Sequence, residues 1–362
     1  MELELKRYLR VHNLTKRLPQ EELSQAVRVI GFKENLEVAL AARVEGVTPE
    51  AIEELSTIKS SRYLLPQMWR LYAHSLAPLN EEELIEGSPL LGEIAKLFGL
   101  PLYPLYEEVK RGVEELLKKE SLSHNQLVKE ISKSLAENLP AAKLELGSWP
   151  SHREDGVTIG EEALLLLLEK VCLALPISLE EERGVASYHL FEAPQLGGSL
   201  AKEFLHAFGP ANLEEFIAWS GVGATQGERL WQALDYEAVV QDPQGRLYLR
   251  EDYLTLEELP EAEGVRLIGY GDPLFEIPHR SLLVQGKRHY NYFYRSATPP
   301  GMLLSDGVVI AGWHLRQQRG SLSLQVEDIG LELGRVANQE IEEEVERLAL
   351  AFGLKSGGFS VK

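Results

Sequence analysis

Apolar positions along this chain fall at helical spacing in some stretches and alternate in others, and the order of the two patterns repeats. In FGPANLEEFIAWSGVGATQGERLWQAL (208–234), Asn212 and Glu215 predict a capping box ahead of Leu213, Phe216, Ile217 and Ser220, spaced i, i+3, i+4, i+7. The glycines of SGVGA interrupt the pattern. Thr225 with Glu228 then predicts a second box before a helix whose apolar face is Leu230, Trp231 and Leu234. EAVVQDPQGRLYLRED (237–252) follows as two short β-type runs about the turn Asp242-Pro243-Gln244-Gly245.

Helix, turn, helix and hairpin is the order of a winged helix, and it occurs earlier as well. The helical run 105–120 precedes a helix capped by Ser123 and Gln126, with Leu127, Val128, Ile131 and Leu135 on one face. GEEALLLLLEKVCLAL (160–175) is the next helix, and β-type runs on either side of EEERG close the unit. A weaker third copy is suggested at the N-terminus, where Thr48-Pro49 predicts a helix start. After Gly264 the texture turns β-rich, with hairpin turns at Asp306-Gly307 and Arg319-Gly320. A helix from about Asn338 to Phe352 and a frayed tail, GLKSGGFSVK, complete the reading. The predicted fold class is α+β: an N-terminal helical region (1–102), winged helices over 103–193 and 197–256, and an antiparallel β-rich unit with a terminal helix over 264–362.

Charge changes the picture of partners. A formal net charge of −19 over 362 residues opposes binding of polyanions by the whole surface but leaves room for one basic face. Residues 277–305 contain no Asp or Glu and hold Arg280, Lys287, Arg288 and Arg295, so charge is segregated along the chain. The start, MELELKRYLR, lacks the apolar core of a secretory signal. The most apolar run, 161–179, is broken by Glu169, Lys170 and Pro176, too short to span a bilayer. A cytoplasmic protein without a membrane partner is therefore expected. The single Cys172 rules out an internal disulfide and reads as a buried inert thiol. Nine histidines show no metal-ligand spacing, and GYGDP lacks the continuation of a dinucleotide motif, so no metal and no cofactor are expected.

Four segments together resemble the winged-helix crosslink-repair DNA glycosylase family (AlkZ-like). They are AFGPANLEEFIAWSG, PPGMLLSDGVVIAGWHLRQQRGSLSLQVE (299–327), GDPLFEIPHR (271–280) and LAARVEGVTPEAIEEL (40–55). The resemblance spans roughly residues 25–353 and is densest around 205–221 and 299–316. It implies tandem winged helices forming a concave cradle for double-stranded DNA, and excision of alkylated or crosslinked bases. The family's catalytic Gln-x-Gln or Gln-x-Asp tripeptide falls here on Lys33-Glu34-Asn35. A second signature ending in His falls on SSRYLLPQMW (60–69), where Arg62 remains and the His does not. Both departures touch the chemistry and spare the scaffold.

Hydrolysis of an N-glycosidic bond needs a group that holds water near the anomeric carbon and negative charge opposite the developing oxocarbenium. Lys33-Glu34-Asn35 reads either as a rearranged site with an amide, a carboxylate and an amine, or as a solvated helix start capped by Asn35. For binding, KRHYNYFYR (287–295) combines phosphate-neutralising cations with rings that stack on bases, or else is a strand packing Tyr290, Tyr292 and Tyr294 on one face. The candidate DNA contacts are Arg62, Arg246, Arg250, Arg280, Lys287, Arg288, Tyr290, Tyr292, Arg295 and Arg316. KRYLRVHNLTKR (6–17) reads as a basic amphipathic helix that either meets an anionic partner or presents a solvated face, and Trp219 and Trp313 read as core. In the second helix of 208–234, one Arg stands against Glu228, Asp235 and Glu237, which makes this helix-turn-helix scaffold and not a groove reader. The alternatives are a non-catalytic transcriptional or accessory DNA-binding protein and a protein-interaction scaffold.

Overall fold

The computed structural model describes residues 3–30, 36–56, 74–138, 141–151, 156–182, 185–190, 199–254 and 259–362. Within them the architecture is mixed α+β, with helices gathered on three sheets. The chain starts with α1 (Leu3–Val11), α2 (Leu23–Ile30), α3 (Leu36–Ala41) and α4 (Pro49–Ser56). Thr48 caps the last of these, its Oγ1 accepting from the Ala51 amide at 3.4 Å. Residues 6–17 do not form a solvated basic face, because Arg7 and Arg17 are buried. Arg7 donates to the carbonyls of Leu205 (2.8 Å), His206 (2.6 Å) and Gly209, and Arg17 pairs with Glu344. Carbonyls at a helix C-terminus lack intrahelical donors, so they draw a cation inward.

The next stretch runs α5 (Glu81–Glu86), α6 (Pro89–Phe98), α7 (Leu102–Leu117), β1 (Leu122–Ser123), α8 (His124–Asn138), α9 (Ala141–Gly147), α10 (Ile159–Ala174), β2 (Ile177–Glu182) and β3 (Val185–Leu190). The sheet order is β1-β3-β2, all antiparallel. A capping box between Thr158 and Glu161 starts α10, whose Leu164, Leu167, Leu168 and Val171 pack on Val109 and Val113 of α7. Cys172 is half-buried against this core, and burial of its thiol pushes the pKa up to about 12.

A similar order, without a counterpart of α9, then follows as α11 (Leu200–Phe208), α12 (Leu213–Ser220), α13 (Ala224–Gln232), β4 (Val239–Gln241) and β5 (Leu247–Leu249), ending in α14 (Arg250–Leu254). Ala211 bridges to Leu247 as β1 pairs with β3, so both units share one strand order. The Asn212–Glu215 box forms as expected. The Thr225–Glu228 box does not. The helix starts two residues earlier, at Ala224 with Gly223 as N-cap, and the Thr225 amide and hydroxyl both donate to Glu86 of α5, at 2.8 and 2.9 Å. A carboxylate from another helix has taken the place of the local cap, and it approaches over Gly223, where a Cβ would collide with it.

The C-terminal sheet has the order β10-β9-β8-β7-β6, built from β6 (Val265–Ile268), β7 (Gly301–Ser305), β8 (Val308–Gln318), β9 (Ser321–Glu327) and β10 (Lys355–Val361). Both expected hairpin turns form, with positive φ at Asp306, Gly307, Arg319 and Gly320. Two expectations are corrected. Residues 287–295 are not a strand: Lys287–Tyr294 is a helix, α15, because its buried Phe293 and its tertiary contacts override the β preference of a Tyr-rich run. The tail is not frayed either. After α16 (Asn338–Ala351), residues 355–361 form β10, parallel to β9, with Phe359 packed on the core. The inner face of this sheet packs on α16 and on residues of α2 and α3. Trp313 lies in that core, donating to the Met302 carbonyl at 3.1 Å, and Trp219 packs in the other against Phe204, 4.9 Å between ring centroids.

Candidate functional site

Helix α15 is held to the sheet by three inward contacts. Phe293 is fully buried, Tyr292 lies over Gly312 and donates to Glu327 at 2.6 Å, and His289 Nε2 meets the Ile329 carbonyl at 3.2 Å. With those three turned inward, Lys287, Arg288, Asn291 and Arg295 are left exposed. No acid stands in the first turn, and the N-cap is Gly286, which offers no side-chain bond. Cations at the positive end of a helix cost about 0.3–1 kcal/mol each in local stability. Such a departure from helix rules concentrates positive potential at one place, as a phosphate-facing surface does.

An aromatic row flanks this helix. Tyr290 and Tyr294 have ring centroids 4.9 Å apart, and the Arg280 guanidinium sits 4.8 Å from the centre of the Tyr294 ring. Phe275 meets Tyr294 edge-on at 5.7 Å, and Tyr270 meets Phe275 edge-on at 5.6 Å. Burial raises the Tyr294 hydroxyl above its ordinary range, the nearby Arg280 opposing, and its oxygen has no hydrogen-bond partner.

The hairpin arginines are engaged within the chain. Arg246 donates to Asp242 at 2.8 Å and to His279, and lies 3.4 Å from Glu4. Arg250 donates to the carbonyls of Glu237 (2.7 Å) and Val239 (3.4 Å). Arg316 is exposed on the outer face of the C-terminal sheet and donates to Gln325. The helix-turn-helix of residues 208–234 is covered: Arg229 of α13 forks Glu83 of α5 (2.7 and 3.0 Å), and Gln226 donates to the Leu76 carbonyl at 2.7 Å.

Lys33, Glu34, Asn35 and Arg62 lie outside the described residues. The helix that follows the tripeptide in sequence, α3, is described, and it leads to a feature that residue types alone did not reveal. Arg43, just beyond α3, makes two 2.7 Å bonds to Asp272, with both side chains essentially fully buried. Arg43 also donates to the carbonyls of His12 (2.8 Å) and Ala39 (2.9 Å). Burial raises the Asp272 carboxyl, but the Arg43 charge and its hydrogen bonds, with the Leu274 amide, outweigh it and leave the group below the usual carboxylate range. His12, buried and facing the Arg43 charge, is pushed down to about 3. LAAR and GDP appear in the sequence as family segments, and only the fold shows that they meet. Among the described residues there is no group of three His, Cys, Asp or Glu placed to hold a metal, and no helix is long and apolar enough to cross a membrane.

A sequence profile described as DNA glycosylase AlkZ-like matches residues 25–351. The chain belongs to the AlkZ-like DNA glycosylase family. A solved structure, the DNA glycosylase AlkZ of Streptomyces sahachiroi, superposes with a TM-score of 0.69 at 16% identity, covering 99% of this chain and 98% of that one. At that identity the likeness shows a shared fold. No curated protein matches the chain. The matched segment takes in both the Arg43–Asp272 pair and α15.

Proposed function

We propose that this protein binds damaged double-stranded DNA through α15 and removes a base by N-glycosidic hydrolysis, in keeping with its family. The observation that carries the reading is the solvent-facing set Lys287, Arg288, Asn291 and Arg295, on a helix anchored by its other face in a chain of net charge −19. Each lysine or arginine that neutralises a phosphate releases counterions, so binding weakens as salt rises. Arg280, at the aromatic row, and Arg316, on the sheet, extend the contact surface. Arg246 and Arg250 shape the hairpin. Residues 103–193 and 197–256 are two winged helices in this reading, the second as scaffold, with 264–362 as the DNA-facing unit and 1–102 carrying the chemistry.

In that chemistry a water oxygen bonds to the sugar carbon as the bond to the alkylated base breaks; the bonding pair leaves with the base and cancels its positive charge, and the proton lost by the water passes through Glu34 to solvent. Glu34 accepts the proton from water, Asn35 orients it, and Lys33 and Arg62 hold the flanking phosphates. A second reading, a non-catalytic DNA-binding protein, is favoured by the Lys33-Glu34-Asn35 departure from the family tripeptide.

The deciding experiment incubates saturating protein with duplex DNA carrying alkylated bases and measures released base. Release by the native chain that is lost in Glu34→Gln and Asn35→Ala supports the enzyme. Salt-dependent binding with intact substrate supports the second reading, and absence of binding at low salt overturns both.

A further inference from the structure

Tyr270 is 50% exposed, yet the turn that carries it is held from three sides. Gly269 lies so close to α3 that an added Cβ would stand 3.1 Å from Val38 Cγ1. Gly271 has φ +84°, a conformation L side chains rarely adopt. Asp272 is clamped by Arg43, and its own amide donates to the Gly269 carbonyl at 3.1 Å. Tyr236, by contrast, is 71% exposed within a single short turn. An aromatic ring held in water on an immobile turn gives up apolar burial and keeps its order, which suits a surface that receives another flat group.

The position of the ring says which group. Tyr270 is one end of the row Tyr270–Phe275–Tyr294–Tyr290, and the other end lies on α15. Its own end rests on α3. The row therefore joins the helix that follows Lys33-Glu34-Asn35 in sequence to the exposed cations of α15. We propose that Tyr270 is a positioning residue that stacks on an unstacked nucleobase of duplex DNA. The substrate class is thereby narrowed to duplexes in which one base is already unpaired or easily extruded. This rests on the DNA reading of α15 given above. Base–aromatic stacking is tolerant of sequence, because every base has a π-face. Tyr270→Phe and Tyr270→Trp should therefore act like the native residue, while Tyr270→Ala should not.

The test uses the full chain and two otherwise identical fluorescein-labelled duplexes, one with a single unpaired 2-aminopurine and one fully paired. Anisotropy gives the affinities, and 2-aminopurine emission reports stacking through quenching. The native protein should favour the unpaired duplex and quench its emission. Tyr270→Ala should lose about tenfold affinity for that duplex alone, together with the quenching, and Tyr270→Phe should keep both. Circular dichroism melting of each variant separates loss of stacking from loss of fold. Equal weakening on both duplexes, or no weakening on either, overturns the proposal. A Lys287→Ala/Arg288→Ala variant that weakens both duplexes, while Tyr270→Ala weakens neither, leaves the DNA reading standing and removes this one. If the native chain binds neither duplex, both fall.

Discussion

Replacing Asp272 by Asn removes one negative charge from a place with no water to compensate. The Arg43 and Asp272 side chains are 0% and 1% exposed, and two 2.7 Å bonds join them. Asn keeps an acceptor for the Leu274 amide, now 3.0 Å from Oδ1, but turns a donor toward the guanidinium. Arg43 retains the His12 and Ala39 carbonyls, which are dipoles and do not neutralise its charge. Stranding a buried charge in this way costs about 3–5 kcal/mol. The assay is guanidinium chloride unfolding followed by tryptophan fluorescence, with midpoints compared at equal slope. The double variant Arg43→Met/Asp272→Asn removes the stranded cation and should be less destabilised than the sum of its singles, by about 0.5–3 kcal/mol. If Asp272→Asn stays within about 1 kcal/mol of the native protein, or the double is additive, the pair is not the strong structural clamp described here.

Three further outcomes follow from the same geometry. If α15 meets phosphates, Lys287→Ala/Arg288→Ala should reduce the slope of log affinity against log salt by roughly 1.8, and an unchanged slope in a salt titration would place the DNA elsewhere. His12 sits near a pKa of about 3 in the fold and close to 6.5 unfolded, so the unfolded chain takes up the proton first as pH falls. Stability should accordingly be level above about pH 6.5 and decline below it, and His12→Gln should flatten the decline between about pH 6.5 and 5 in urea midpoints, above the range where depressed carboxylates such as Asp272 contribute. Phe359→Ala should lower the melting temperature measurably, since Phe359 packs on the sheet core; a melting curve identical to the native one would mean that β10 contributes nothing to stability.

Local chemistry made much of the fold legible. The Asn212–Glu215 box, the Asp242–Gly245 turn, and the Asp306-Gly307 and Arg319-Gly320 turns depend on neighbours within four residues, and each forms as read. The expectations that failed were decided by distant partners. Thr225 met Glu86 in place of Glu228, the Tyr-rich 287–294 became a helix because it packs through Phe293 and Tyr292, and 355–361 found β9. The site divides in the same way. The acid-free composition of 277–305 flagged α15 and Arg280, and the one arginine of α13 is engaged within the chain by Glu83. Nothing local paired Arg43 with Asp272, 229 residues away.

Segments far apart in the sequence share one core. Arg17 pairs with Glu344 across 327 residues, and α2 and α3 pack with α16 and the final strands. During synthesis at about 5–20 residues per second, the first helices would leave the ribosome on the order of tens of seconds before the sheet that buries them exists. The unit spanning Leu84–Leu190 has a core of its own and can close in that interval. The amino-terminal segment waits for the last residues to arrive, so a ribosome stalled before about residue 340 would release a chain whose middle is folded and whose beginning still exposes apolar surface to chaperones.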